Sequence, residues 1–246
     1  MSRTLAASIG ATVRKRAVRE LRDRILTGSL PAGSRLDLHA ICDEFGISRT
    51  PVREALLELS FQGLVEIAPR SSVTVIGITP AEVTDNFAVL AALSGKAAEW
   101  AAARIDENTL KDLCRAAASL EHAKTGDPYK LIDANWRFHR RINEAAQSKV
   151  LLSLIRQAVR LIPSNFLAVV PVEANGDQDH AELLCAIGSG LEPQAREIAE
   201  RHVLAAGEAL AHWLAHQSAD EAPRSPGGSS TALIRPARNT ADRDRP

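Results

Sequence analysis

Residues 21–65 read LRDRILTGSLPAGSRLDLHAICDEFGISRTPVREALLELSFQGLV, and their punctuation sets the fold of the first third of the chain. Val18, Leu21, Ile25 and Leu26 fall on one helical stripe, and Gly28 follows as a stop signal. After the Pro31/Gly33 turn, Asp37 can cap a short helix that runs to Phe45 and ends at Gly46. A third helix is expected from Arg49 to Gly63. It has Pro51 in its first turn, where a missing N–H costs least, and Val52, Leu56 and Leu59 as its apolar stripe. Two β-rich runs, 64–67 and 73–76, then read as a hairpin joined by Ala68-Pro69-Arg70-Ser71-Ser72.

Three helices and a hairpin in about 60 residues describe a winged helix-turn-helix, whose third helix offers its first turns to the DNA major groove. Ser48-Arg49-Thr50-Pro51-Val52-Arg53 occupies that place. Hydroxyls at a helix N-terminus suit phosphate, and Arg49 and Arg53, four apart, share one face from which an arginine can bond guanine bidentately. The competing reading is an ordinary amphipathic helix with solvated arginines.

The 21–65 run resembles the DNA-binding domain of GntR-type regulators, including the PAGSRL element and the SRTPVREAL helix. The resemblance implies that Arg35 contacts phosphate, that Arg49 and Arg53 read bases, that Ser48 and Thr50 hold the DNA backbone, and that Arg70 lies at the wing tip. Ser71 and Ser72 depart from the family at that tip, where a glycine is usual.

Bulk properties agree with an intracellular globular chain. Its 246 residues carry 30 basic and 30 acidic side chains, and 45% are hydrophobic. Residues 1–78 hold 11 Lys/Arg against 8 Asp/Glu, whereas 79–218 hold 14 against 18, so the first third is mildly basic and the middle acidic. No stretch approaches the roughly 20 apolar residues of a membrane span, and the N-terminus lacks a secretory signal, so a cytoplasmic location is expected. Cys42, Cys114 and Cys185 are an odd, scattered set that suits buried small hydrophobes rather than disulfides.

From Thr79 onward only helical patterns occur, expected at about 79–104, 106–124, 129–146, 149–169, 173–187 and 193–216. The fold class is therefore mainly α. A winged helix-turn-helix domain (12–78) precedes an all-α six-helix bundle (79–217), and the Pro/Gly/Ser/Arg-rich residues 218–246 read as a disordered tail.

Asn135 and His139 lie four apart in NWRFH and project from one helix face, while His180 and His202 belong to later helices. Converging in a bundle, three imidazoles and an amide oxygen would make an open site for a divalent metal: zinc, nickel, iron or manganese. The alternative for each histidine is a core or surface residue bound to nothing but protein or water. Residues 80–217 resemble the FCD domain of the FadR-type branch of GntR regulators, in the six-helix form of its VanR-like members.

That resemblance implies that Asn135, His139, His180 and His202 hold the metal and that its open positions accept the carboxylate of an organic-acid effector. Asn135 stands where an aspartate is usual, Leu90 stands where the family has an arginine facing the ligand, and Ser94 where it has a glutamate four residues later. Asn143 and Arg160 are the candidates to replace that polar recognition. The reading that follows is a homodimeric, ligand-responsive repressor on a palindromic operator, not an enzyme. A metal-dependent enzyme and a direct metal sensor remain as alternatives.

Overall fold

The structure, a computed structural model, describes residues 2–69, 72–170, 177–220 and 233–234. The chain divides into two compact units, Met1–Ile78 together with Glu221–Pro246, and Thr79–Asp220.

In the first unit, α1 (Ser2–Leu26) starts well before the expected helix, and Val18, Leu21, Ile25 and Leu26 form its buried stripe against α3 (Arg49–Phe61). Between them α2 (Leu38–Phe45) begins at Asp37, whose side chain accepts from the backbone N–H groups of His39 and Ala40. It ends at Gly46, whose left-handed backbone (φ 64°) suits a residue without Cβ. Val52, Leu56 and Leu59 of α3 are buried as the spacing predicts. The hairpin is β2 (Val65–Ala68) and β3 (Ser72–Val75), antiparallel with Val65 opposite Val75 and Ala68 opposite Ser72. A two-residue strand too short to show a period, β1 (Arg35–Leu36), pairs with β3 to give the order β1-β3-β2. Arg70 lies outside the described residues.

The second unit is built from α4 (Pro80–Arg104), α5 (Glu107–Ala123), α6 (Pro128–Ala145), α7 (Lys149–Ala158), α8 (Phe166–Val169), α9 (Asp177–Gly188) and α10 (Glu192–Asp220). Small residues let the helices approach closely. Ala98, Ala101 and Ala102 of α4 pack with Leu113 and Leu120 of α5, Phe138 and Ile142 of α6, and Ile198 and Ala199 of α10. The α4–α10 pair is the most extensive, and a Cβ placed on Gly207 would lie 2.4 Å from Phe87 Cβ.

Two expectations are corrected. The single helix expected over 149–169 stops at Ala158, continues as a 3-10 turn (Val159–Leu161) and resumes at Phe166. Pro163 has no N–H to give and disfavours helical backbone at Ile162. The cysteines are not buried: Cys114 and Cys185 are exposed and Cys42 is half-buried, all as free thiols. Cys114 follows the inward Leu113 by one residue, a rotation of about 100° that carries it off the buried face. Within 218–246, α10 runs on to Asp220, and Leu233 and Ile234 are ordered, Ile234 bridging antiparallel to Leu36. The rest of that segment lies outside the described residues.

Candidate functional site

In the first unit the candidate surface is the start of α3. Ser48 takes the extended N-cap conformation without making a side-chain cap bond, and Ser48, Arg49, Thr50 and Arg53 are all exposed. The first-turn N–H groups are thus left without a side-chain cap, the condition under which a helix N-terminus can accept an anion. Arg49 Nη2 lies 2.9 Å from His39 Nε2, so α2 holds the guanidinium in place. That contact crosses elements and has no signature in the local sequence. Arg35 is exposed in β1.

In the second unit, α6, α9 and α10 bring His139, His180 and His202 together. One ligand-capable atom of each lies within 4.8 Å of the others. Nε2 of His139 and Nε2 of His180 are 3.4 Å apart, and the ring centroids of the three pairs are separated by 5.2, 5.2 and 4.5 Å. Phe138 presses edge-on against His180 at 5.1 Å. His180 and His202 are buried.

All three imidazoles are held neutral. Burial, reinforced by His202 and His180, places His139 well below the usual histidine range. Burial, with His202 and Lys124 adding, brings His180 to about 3. Burial also lowers His202, while Asp179 opposes part of that shift. Asp179 Oδ2 stands 3.5 Å from His202 Nδ1 and the same carboxylate pairs with Arg201 at 2.5 Å. In the sequence, the one signal of Asp179 is its place beside His180.

Neutral imidazoles with free lone pairs are what a divalent ion requires, and Nδ1 of His180 is buried without a hydrogen-bond partner among the described residues. The donor set therefore fits a metal.

The cluster borders a cavity of about 570 Å³, whose wall includes His139 and His202. Asn135, Asn143, Leu90 and Ser94 line it as well. Arg160 does not. It is exposed in the 3-10 turn, because the break before Pro163 ends the α7 register that would have carried it inward. Arg140 and Arg156 line the cavity instead. Arg156 sits one helical turn before Arg160.

An exposed arginine-bearing helix beside a hairpin, in a chain whose helical unit holds a ligand-sized cavity, is the layout that a DNA-binding regulator with a ligand-binding domain requires. The chain belongs to the gntR family of bacterial regulatory proteins, whose model matches residues 13–75, and carries an FCD domain over residues 85–205.

Similar curated proteins include the regulator YdhC of Bacillus subtilis (26% identical, covering 76% of this chain and 84% of that protein) and McbR of Escherichia coli (27%, 68% and 78%). A probable D-xylose utilization operon transcriptional repressor of Paenarthrobacter nicotinovorans is 27% identical over 76% and 84% of the two chains. The chain spans 64% of the length of two Mycobacterium tuberculosis regulators that it also matches. Among solved structures, E. coli McbR/YncC shares the fold with a TM-score of 0.59 at 23% identity, covering 85% of this chain and 96% of that one. A GntR family member from Pseudomonas syringae pv. tomato does so at 0.50 and 24%, covering 85% and 90%. Among the described residues no helix is long and apolar enough to cross a membrane.

Proposed function

We propose that the chain is a cytoplasmic, ligand-responsive repressor that binds a palindromic operator as a homodimer. In this reading Arg49 and Arg53 read base edges, and Arg35, Ser48 and Thr50 hold the DNA backbone. His139, His180 and His202 hold a divalent metal, zinc, nickel, iron or manganese, with the amide of Asn135 as a weaker donor. A small organic acid occupies the adjoining cavity and controls DNA binding.

The observation that carries this reading is the neutral histidine cluster at the wall of a 570 Å³ cavity, within the roughly 300–1,000 Å³ of small-molecule sites. A bound divalent ion would supply a Lewis-acid position for an anionic oxygen. The chain's own residues do the rest. Arg140 and Arg156 supply positive charge at the wall, Asn143 and Ser94 supply neutral polar groups, and Leu90 and Ile155 exclude water from the apolar side. Leu90 and Ser94 leave the first helix of the domain without a charged clamp, so anion recognition falls to α6 and α7. The cavity volume favours a metal-plus-acid sensor over a sensor of the metal alone, which needs no such space.

The test is operator binding by the full chain, followed by fluorescence anisotropy, in three states: metal-stripped, metal-loaded, and metal-loaded with a panel of small mono- and dicarboxylates. Release should need both metal and acid. Release by acid that persists in a His139→Ala/His180→Ala chain would overturn the proposal.

A further inference from the structure

The sheet order β1-β3-β2 leaves β1 with one strand partner, so its outer edge would present unpaired backbone groups. That edge is not bare. Leu36 lies opposite Val73 of β3 on one side and opposite Ile234 on the other. The backbone N–H of Asp37 donates to the carbonyl of Leu233 at 2.7 Å, and the Leu233 side chain is wholly buried. Leu233 and Ile234 are also the only large aliphatic residues in the stretch 221–246, which is otherwise Pro, Gly, Ser, Ala, Thr, Asn and charge.

We propose that Leu233–Ile234 is a strand-addition clasp, in which the chain's own C-terminal segment occupies the open edge of β1 and fixes the entry to α2. One apolar pair and one ladder bond are a weak contact between separate molecules. Being part of the same chain raises the effective concentration of the segment above that of a separate peptide, which favours so small a contact. Asp37 is the pivot. Its carboxylate caps α2 through His39 and Ala40, and its own N–H is the group the clasp satisfies. The clasp thereby holds the first helix of the helix-turn-helix, whose His39 contacts Arg49 of the recognition helix.

The test is amide hydrogen exchange on the full-length chain, comparing wild type with Leu233→Asp and with the conservative Leu233→Met. Leu233→Asp should speed exchange at Asp37 by at least about tenfold, lower the melting temperature of the DNA-binding unit by roughly 4 °C or more, and weaken operator binding about threefold. Leu233→Met should stay close to wild type in all three. Unchanged exchange and melting in Leu233→Asp would overturn the proposal. A mixing experiment tests whether the contact is made within one chain. Isotope-labelled Leu233→Asp in excess unlabelled wild type should remain unprotected at Asp37, and recovered protection would mean that the segment comes from a second copy.

Discussion

The recognition surface on α3 and the histidine cluster between α6, α9 and α10 are built by opposite rules. Arg49 and Arg53 are exposed and lie four apart on one helix, and the role proposed for them is contact with another highly charged molecule. His139, His180 and His202 come from three helices, pack within 4.8 Å, and lose their charge to burial. The two sites should therefore fail differently. Removing an arginine should leave the fold intact and change one binding reaction. Removing a histidine should change what the folded unit can hold, and with it stability.

The largest effect is expected at the cluster. Zinc at about 100 times its dissociation constant stabilises a folded chain by about 2.7 kcal/mol, which for a unit of this size raises the melting temperature by roughly 5–10 °C. His180→Ala should abolish that rise while the operator affinity of the metal-free chain stays at the wild-type value. Thermal melts with and without zinc, paired with an operator titration, check both halves. A retained rise in His180→Ala would mean that the ion binds elsewhere.

Next comes the close approach of α4 and α10 that helps shape the sensor unit. Gly207→Ala drives a methyl against Phe87 Cβ, an atom fixed to the backbone, and should cost roughly 1–3 kcal/mol. Gly95→Ala meets Glu200 instead, a long side chain that can swing away, and should cost much less. Denaturant unfolding of the two variants separates them, and equal losses would show that α4 and α10 are less closely fitted than their geometry implies.

Of similar or smaller size is the loss at the DNA surface. Arg49→Ala and Arg53→Ala should each weaken operator binding by about 1–3 kcal/mol with little change on random duplex, whereas Arg35→Ala should weaken both. Equal losses on operator and random DNA for Arg49→Ala would reduce the α3 face to a phosphate contact and erase half of the comparison.

The smallest effect lies at the start of α4, where Thr79 and Glu82 form a reciprocal cap and Thr79 holds Glu82 below its usual 4.5 through hydrogen bonds from its N–H and hydroxyl. Because the folded pKa is the lower one, this contribution is complete above about 4.5 and is lost as pH falls below that value and Glu82 takes up a proton. Glu82→Gln should flatten that part of the stability profile. Thr79→Ala should cost about 1 kcal/mol at neutral pH. Both are read from melts across the acid range.

Much of the fold was legible because local signals and tertiary structure agree. The Asp37 cap, the Gly46 stop, Pro51 in the first turn of α3 and the Val52/Leu56/Leu59 stripe each act over a few residues. What escaped depends on longer range or on phase. The strand β1 is two residues long and exists only because β3 lies beside it. The α7 break required weighing Pro163 against an apolar run that continues past it. Leu233 and Ile234 were invisible as a strand because composition averages them into a polar stretch. At the sensor site the i, i+4 pair of Asn135 and His139 was readable, whereas Arg156, Arg140 and Asp179 were not. Their roles come from which side of α6, α7 and α9 faces the cavity and the cluster.

Three desolvated histidines on separate helices form the proposed metal site. Its most direct test is metal analysis by inductively coupled plasma mass spectrometry of the full-length chain, exposed to equimolar zinc, nickel, iron and manganese and then desalted, alongside His139→Ala, His180→Ala and His202→Ala. Close to one divalent ion per wild-type chain is expected, and nearly none in each variant. A wild-type chain that retains no ion, or variants that retain as much as the wild type, would contradict it.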